Sequence, residues 1–276
     1  MYEKYWNLKE KPFQNTPDPR FLYLSPQHED ALMKLSYVVA QDLGCGMLTG
    51  VFGCGKTLLG RVILNDLGSE RYASAVINNP CVSEPAEILR AMVRGLSPQP
   101  LPEKKTELMT DSLIEKLATI LTDNVRDGKK NIVFIDEAHA IEDHKIFEQM
   151  RLVLNMQAED RFLLTLLIMG QPELKEKIES IKPLDQRIAV RCYLGAFSEE
   201  DMTKYIYHRM KVAGRDVSDL SVFTKEGLSA IFKHAAGIPR RINTLCDLIL
   251  MSGFARKAEK VTPDLVETVI KDFNLT

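Results

Sequence analysis

Short apolar runs alternate with amphipathic segments along the chain as far as residue 197. Runs that are apolar almost throughout are typical of strands covered on both faces. They lie at residues 46–49, 73–78, 131–135 and 162–169, and a further strand is predicted at 191–196. Helical spacing is found at residues 57–67, 84–96, 110–127 and 144–157. A helix is also predicted from Pro26, with Ser25 as its N-cap. This alternation predicts an α/β fold with a parallel sheet.

The strand pattern ends before residue 198, and the remainder of the chain is predicted to be helical. Helix starts are indicated at Ser198, Thr224, Ile238 and Thr262, the last followed directly by a proline. We therefore predict an α/β domain at 1–197, with an irregular flanking segment at 1–25, and an all-α lid domain at 198–276. A proline-rich surface loop is predicted at 97–105.

The sequence GVFGCGKT at residues 50–57 fits the pattern of a phosphate-binding loop. Glycines allow the backbone to turn tightly enough for its N–H groups to surround a triphosphate, and the helix that follows favours an anion at its N-terminus. Lys56 is expected to reach the β- and γ-phosphates, and the hydroxyl of Thr57 is expected to bind Mg²⁺. The residues expected at the nucleotide are Gly50, Val51, Phe52, Gly53, Cys54, Gly55, Lys56, Thr57 and Leu58.

The sequence NIVFIDEAH at residues 131–139 places two acids at the end of a buried strand. A carboxylate without a partner is costly to bury, so a functional role is favoured over a structural one. Asp136 is expected to hold Mg²⁺ through water, and Glu137 is expected to orient and polarise the attacking water. The two motifs together predict that ATP is hydrolysed. The letters DEAH also occur in some helicases, but nothing else in the sequence supports that assignment.

Three further polar residues are candidates for sensing the phosphates. Gln171 follows the apolar run at 162–170, where it is either a contact of the γ-phosphate or a turn residue. Arg187 stands at the rim of the predicted α/β domain and is a candidate for stabilising charge on a neighbouring subunit's nucleotide, with Arg191 as the second choice. Arg240, at the start of a lid helix, is a candidate for folding back onto the phosphates. The alternative for each arginine is a solvated surface residue.

Composition and charge limit the classes of protein that this sequence can encode. The sequence has 45% hydrophobic and 27% charged residues, as is usual for a soluble protein. Its net charge of −2 does not favour electrostatic binding of nucleic acid or anionic lipid over a wide surface. A local basic patch around Lys129 and Lys130 stays open. The cysteines show no metal-ligand spacing, and the longest apolar run is too short for a membrane span. We therefore expect a cytoplasmic protein without direct membrane insertion.

Taken together, these residues resemble the AAA+ ATPases, and within them the general secretion pathway protein A (ExeA-like) family, with its MshM-like relatives in pilus biogenesis. The resemblance is carried by LKEKPFQNTPDPRFLYLSPQHEDAL at the N-terminus, by GQPEL and by GIPRRIN. It implies a first-sensor role for Gln171, an arginine-finger role for Arg187 and a second-sensor role for Arg240. It also implies that 12–23 border the adenine.

The family resemblance further implies ATP and Mg²⁺ as ligands and self-association with ATP into a ring or filament, such as a hexamer. A protein partner at the inner membrane or in the envelope machinery would follow, with this chain cytoplasmic or peripheral to the membrane through that partner. Longer members continue into a membrane-spanning helix and a peptidoglycan-binding domain, whereas this sequence ends at Thr276. Two other functions stay open: ATP-dependent DNA binding for target selection in transposition, and a slow nucleotide switch that recruits a partner.

Overall fold

The computed structural model describes residues 1–78, 80, 82–97, 109–158, 161–216 and 222–275. The chain divides into two compact units. The sheet unit comprises Glu29–Phe52 and Leu59–Leu194. The helical unit comprises Met1–His28, Gly53–Leu58 and Gly195–Thr276. The central part of the predicted phosphate loop is thus grouped with the N-terminal segment and the C-terminal helices.

A five-stranded sheet forms the centre of the sheet unit, and its strands are all parallel. The strands are β1 (Cys45–Gly50), β2 (Tyr72–Ile77), β3 (Lys130–Ile135), β6 (Thr165–Gly170) and β7 (Ile188–Leu194). Their spatial order is β2-β3-β6-β1-β7. A separate antiparallel pair joins β4 (Gln157–Ala158) to β5 (Arg161–Phe162). The three central strands β3, β6 and β1 are buried along nearly their whole length, which explains their unbroken apolar sequences.

Helices connect the strands, as a parallel sheet requires. The connecting helices are α2 (Lys56–Asp66), α3 (Pro85–Leu96), α4 (Thr110–Arg126), α5 (His144–Leu154), α6 (Glu173–Glu179) and α7 (Lys182–Asp185), and α1 (Pro26–Ala40) precedes β1. On one side of the sheet, α3, α4 and α5 contribute apolar faces to a core that includes Ile88, Leu117 and Phe147. The helix α4 ends before Gly128, whose φ of +78° is easily reached only by glycine.

Four helices build most of the helical unit: α8 (Glu199–Val212), α9 (Lys225–Ala235), α10 (Pro239–Ala255) and α11 (Pro263–Asp272). Ser198 and Thr224 cap α8 and α9 through their side chains, as the sequence predicts. The aromatic residues of the N-terminal segment belong to the same core. Trp6 is 3% exposed and donates its indole N–H to the carbonyl of Leu250.

A buried arginine fixes the segment that follows Trp6. Arg209 of α8 donates hydrogen bonds to the carbonyls of Pro12 and Gln14, at 2.5 and 2.9 Å, and its guanidinium lies over the ring of Phe21. The prolines of this segment leave few backbone donors for regular structure, and the guanidinium supplies a donor to the carbonyl of the buried Pro12. The N-terminal segment is therefore an integral part of the helical unit's core.

The α/β fold with a parallel sheet and a helical C-terminal part is confirmed, but three boundaries were wrong. The run at 162–169 is not one strand: Arg161–Phe162 pair with Gln157–Ala158, and β6 begins only at Thr165. The helix predicted to reach residue 157 ends at Leu154. The strand predicted at 191–196 runs from Ile188 to Leu194. Leu163 and Leu164 are buried although they lie in neither strand, so the hydrophobic pattern does not reveal the break.

Two further expectations concern the organisation of the chain. The domain boundary after residue 197 stays a prediction, and the structure adds that the first 28 residues group with the C-terminal helices. The proline-rich loop predicted at 97–105 falls outside the described residues except for Ser97. In the part of the chain that the structure describes, no helix combines the length and the apolar character needed to cross a membrane.

Candidate nucleotide-binding and hydrolysis site

The predicted phosphate loop leaves the carboxyl end of the central strand β1. Val51 donates its N–H to the carbonyl of Leu194 at 3.3 Å, which extends the pairing of β1 with β7 beyond Gly50. Phe52 is 55% exposed. The loop ends where α2 begins at Lys56, and Leu58 is half-buried in the first turn of that helix.

Two glycines give the loop its shape within the helical unit. Gly53 and Gly55 have φ angles of +85° and +99°, which side-chain-bearing residues rarely adopt. A Cβ on Gly53 would lie 2.7 Å from the Cβ of Arg240, so no side chain fits there without displacing the neighbouring helix. This positive-φ backbone, ending at the N-terminus of the 11-residue helix α2, has the form that binds phosphate.

Lys56 and Thr57 stand at the start of α2, as the motif requires. Lys56 is 5% exposed, and Thr57 is half-buried. Cys54 is fully buried, and burial raises the pKa of its thiol, an effect that Lys56 partly opposes. A buried thiol with a raised pKa is unreactive, so Cys54 acts here as a small core residue.

His28 supports the loop, and sequence reasoning missed it. The residue is 2% exposed; its Nε2 lies 3.0 Å from the carbonyl oxygen of Cys54, and its Nδ1 lies 2.7 Å from Oγ of Ser25. Because a carbonyl only accepts, Nε2 carries the proton and Nδ1 accepts from Ser25. Burial lowers the pKa of His28, which favours this neutral form.

Arg240 begins α10 and is bonded to the loop through its main chain. Its backbone N–H donates to the carbonyl of Gly53 at 3.2 Å. The preceding Pro239 has no N–H, so Arg240 carries the first available donor of the helix. The structure thus brings the predicted second-sensor arginine beside the predicted phosphate loop within one unit.

The acidic pair follows directly after β3. Asp136 is 5% exposed and accepts the backbone N–H of Glu137 at 2.9 Å. Glu137 has a left-handed backbone with a φ of 54°, and its side chain is 31% exposed. The left-handed turn separates the two carboxylates: one lies buried at the end of the sheet, and the other is in part open to solvent.

Gln171 follows β6, and it contacts a histidine that sequence reasoning left without a role. The backbone N–H of Gln171 lies 3.3 Å from Nδ1 of His139, and its side-chain amide lies 3.0 Å from Nε2. The same Nδ1 is 3.4 Å from Oε2 of Glu137. Gly170 permits this approach, since a Cβ there would lie 3.1 Å from the backbone nitrogen of His139. Glu137 and Gln171 are therefore connected through one imidazole.

The two candidate finger arginines differ in their surroundings. Arg191 donates to the backbone carbonyl and to the carboxylate of Asp185. Arg187 follows the short helix α7, and its guanidinium lies 5.8 Å from the ring centroid of Phe162. Arg191 is thus held in an ion pair within its own chain, which favours Arg187 for a contact outside it.

The sheet order relates the strand-end residues of the sheet unit to one another. Strands β1, β6 and β3 are parallel neighbours, so their carboxyl ends share one edge of the sheet. Gly50 ends β1, while Gln171 and Asp136 directly follow β6 and β3. Polar residues at this edge, combined with a glycine loop that leads into a helix, define the class: an ATPase built on a phosphate-loop α/β core.

Comparison with known proteins agrees with that class. Residues 40–178, half of the chain, match the family model of the AAA domain. The chain therefore belongs to the AAA domain family. Over 263 residues it is 33% identical to the General secretion pathway protein A of Aeromonas hydrophila, covering 95% of this chain and 46% of that protein. The chain thus spans about half the length of the curated relative that it matches.

Solved structures share the fold at low sequence identity. The ORC1 protein of Aeropyrum pernix in complex with DNA aligns with a TM-score of 0.69 at 17% identity, over 96% of this chain and 69% of that one. The ORC2 protein of the same organism, in ADPNP–ADP complexes, gives 0.66 at 16%, over 92% and 71%. The Thermotoga maritima RuvB Holliday junction branch migration motor gives 0.59 at 18%, over 89% and 69%. At these identities the likeness establishes the fold alone.

Proposed function

We propose that this protein binds ATP with Mg²⁺ at the loop 50–58 and hydrolyses it with Glu137 as the residue that polarises water. The observation that carries the proposal is the shared carboxyl edge of β1, β6 and β3, at which Gly50, Gln171 and Asp136 stand. If a loop at the end of β1 holds the triphosphate, Asp136 lies at the same edge of the sheet, at the end of β3, two strands away. The ORC2 protein of Aeropyrum pernix, which shares the fold and was solved in ADPNP–ADP complexes, supports the assignment.

Each residue has a distinct role in this proposal. The positive-φ backbone at Gly53 and Gly55 directs N–H groups to the phosphates, and Lys56 offsets their charge. The hydroxyl of Thr57 and, through water, the carboxylate of Asp136 would hold Mg²⁺, which would neutralise part of the phosphate charge when bound. Gln171 and Arg240 contact the γ-phosphate, and Arg187 stabilises charge at a neighbouring subunit's site.

The test separates binding from hydrolysis. The Lys56→Ala variant is expected to lose nearly all ATP affinity, measured by calorimetry with a non-hydrolysable analogue. The Glu137→Gln variant is expected to bind ATP normally and to hydrolyse it on the order of 10²–10⁴-fold more slowly, since only the general base is removed. Lys34→Ala is the matched control, because Lys34 lies on an exposed face of α1 in an ion pair with Asp30. Normal ATP affinity in Lys56→Ala would refute the assignment of the loop.

The proposed biological role is that of an ATP-driven subunit of an envelope secretion or pilus-assembly system. Its support is the 33% identity to a general secretion pathway protein over nearly the whole chain. In this role the protein assembles with ATP into a ring or filament, in the cytoplasm or at the inner membrane through a protein partner. Light scattering with and without a non-hydrolysable analogue tests assembly, and a mass that does not change would contradict it.

A second candidate is ATP-dependent DNA binding, as in target selection for transposition. It is favoured by the fold shared with a protein solved in complex with DNA and with a branch migration motor. It predicts duplex binding that needs ATP and weakens steeply with salt, because phosphate contacts release counterions. Unchanged DNA mobility at low salt with ATP would remove it. A slow recruitment switch would instead bind ATP tightly and show little turnover even when assembled.

A further inference from the structure

His139 occupies the space between the candidate general base and the candidate first sensor. It lies on the 3-10 turn Ala138–Ala140 that follows the acidic pair, and its side chain is 20% exposed. Lys177 of α6 fixes that turn by donating to the carbonyls of His139 and Ile141, at 2.5 and 2.8 Å. Among the described residues, the carboxylate of Glu137 thus contacts the ring, and the ammonium of Lys177 contacts the main chain of His139.

The ring nitrogens cannot satisfy all of their neighbours at once. Nδ1 lies within reach of a donor, the N–H of Gln171, and of an acceptor, the carboxylate of Glu137. It accepts from Gln171 only when unprotonated and donates to Glu137 only when protonated. A neutral imidazole carries only one of the two protons, so Nε2 accepts when Nδ1 donates and donates when Nδ1 accepts.

Two neutral arrangements follow from this restriction. In the first, Nδ1–H donates to Glu137, and Nε2 accepts from the side-chain N–H of Gln171. In the second, Nδ1 accepts the backbone N–H of Gln171, and Nε2–H donates to the side-chain oxygen of the same glutamine, whose amide has turned over. The ring releases the proton from Nδ1 to solvent and takes one from solvent at Nε2, so its charge does not change.

We propose that His139 is a positioning residue that makes the availability of Glu137 depend on what the Gln171 amide contacts. When the amide N–H groups of Gln171 are drawn to a phosphate oxygen, its carbonyl oxygen is left facing Nε2 of His139. The ring then takes the second arrangement, and Glu137 loses the donor that occupies its carboxylate. Without that phosphate the first arrangement holds Glu137 in a hydrogen bond. The inference rests on the proposed function, since it assigns a phosphate contact to Gln171.

Nitrogen chemical shifts of the imidazole report directly which nitrogen carries the proton. We suggest recording them on ¹⁵N-histidine-labelled protein without nucleotide and with a non-hydrolysable ATP analogue and Mg²⁺, with the His139 signals identified by their loss in His139→Asn. The expected result is a proton on Nδ1 without nucleotide and on Nε2 with the analogue. The same protonated nitrogen in both states, with binding verified by calorimetry, would overturn the inference and leave the proposed function intact.

Kinetics provide an independent readout. His139→Asn retains an acceptor near the Gln171 backbone but removes Nε2, so kcat is expected to fall roughly five- to tenfold with KM unchanged, the effect of about one hydrogen bond. In a Gln171→Ala background the same substitution is expected to have no further effect. His144→Asn, at the exposed start of α5, is the matched control. Additive effects of the two substitutions would refute coupling through His139, whereas failure of wild type to bind the analogue would refute the proposed function itself.

Discussion

His28 shows how a buried side chain acts through its uncharged form. Its ring bridges Ser25 and the carbonyl of Cys54 inside the candidate phosphate loop, and burial lowers its pKa. The folded protein therefore binds a proton at His28 less readily than the unfolded chain does. As pH falls below the ordinary histidine pKa of about 6.5, the unfolded state gains protons that the folded state refuses, and stability decreases.

The pH dependence of unfolding tests this interpretation. The wild-type free energy of unfolding is expected to decrease from about pH 7.5 to about pH 5.5, and the decrease should be smaller in His28→Asn, because asparagine does not titrate there. His208, whose pKa burial also lowers, contributes in the same direction and stays in both proteins. Denaturant unfolding followed by circular dichroism is the measurement. Equal pH slopes for the two proteins would show that the pKa of His28 is the same in the folded and unfolded states.

The sequence indicates a candidate phosphate loop at residues 50–57 because that motif is defined by the spacing of neighbours along the chain. It does not predict His28 or His139, whose roles depend on partners in other elements: the carbonyl of Cys54 for one, and Gln171 for the other. The motif DEAH does place His139 near the acidic pair, and this is the one signal that could have pointed to it. The roles proposed for Lys56, Asp136, Glu137, Arg187 and Arg240 stay predictions.

At the scale of elements, the N-terminal segment is the part whose packing is least visible in the sequence. It has neither period 2 nor period 3.6, so no pattern indicates which face is buried. In the structure Tyr2, Trp6 and Phe13 are nonetheless 2–3% exposed within the core of the helical unit. The strands and helices of the sheet unit were easier to predict, since each has one apolar stripe or run that its neighbours must cover.

Truncating Trp6 tests whether this segment is structural. Trp6→Ala is expected to lower the free energy of unfolding by about 3–5 kcal/mol, since it leaves a cavity. It also removes the indole donor to Leu250. Tyr37→Ala is a suitable control because Tyr37 is an aromatic residue that is 58% exposed on α1. The measurement is chemical denaturation, and a loss below about 1 kcal/mol, the typical cost of a point mutation, would mean that the segment contributes little to the core.

For the whole molecule, the proposed arginine finger predicts that two different variant subunits restore each other's activity, which a single subunit cannot show. Arg187→Ala is expected to lower ATP turnover on the order of 10³-fold in the assembled state, because an arginine supplied from a neighbour stabilises transition-state charge. Mixing Arg187→Ala with Glu137→Gln should restore part of the activity, since each subunit supplies the group that the other lacks. Phosphate release at fixed total protein is the measurement.

Arg191→Ala is the matched control for that experiment, since Arg191 is already paired with Asp185 and lies four residues further along the chain, within β7. It is expected to retain most of the assembled activity. If Arg191→Ala instead shows the large loss and is rescued by Glu137→Gln, the finger is Arg191. An Arg187→Ala defect that mixing leaves unrescued would mean that the residue acts within its own subunit.

The hydrogen bond from the Arg240 amide to the Gly53 carbonyl has a mechanical consequence. It joins the turn that would grip the phosphates to the beginning of a 17-residue helix, with no intervening segment to absorb movement. Any shift of that turn between nucleotide-bound and empty forms would act first on the N-terminal peptide of the helix, along the helix axis. Because this connection is short, we expect a change of nucleotide state to displace the whole helix and not only to loosen its first turn.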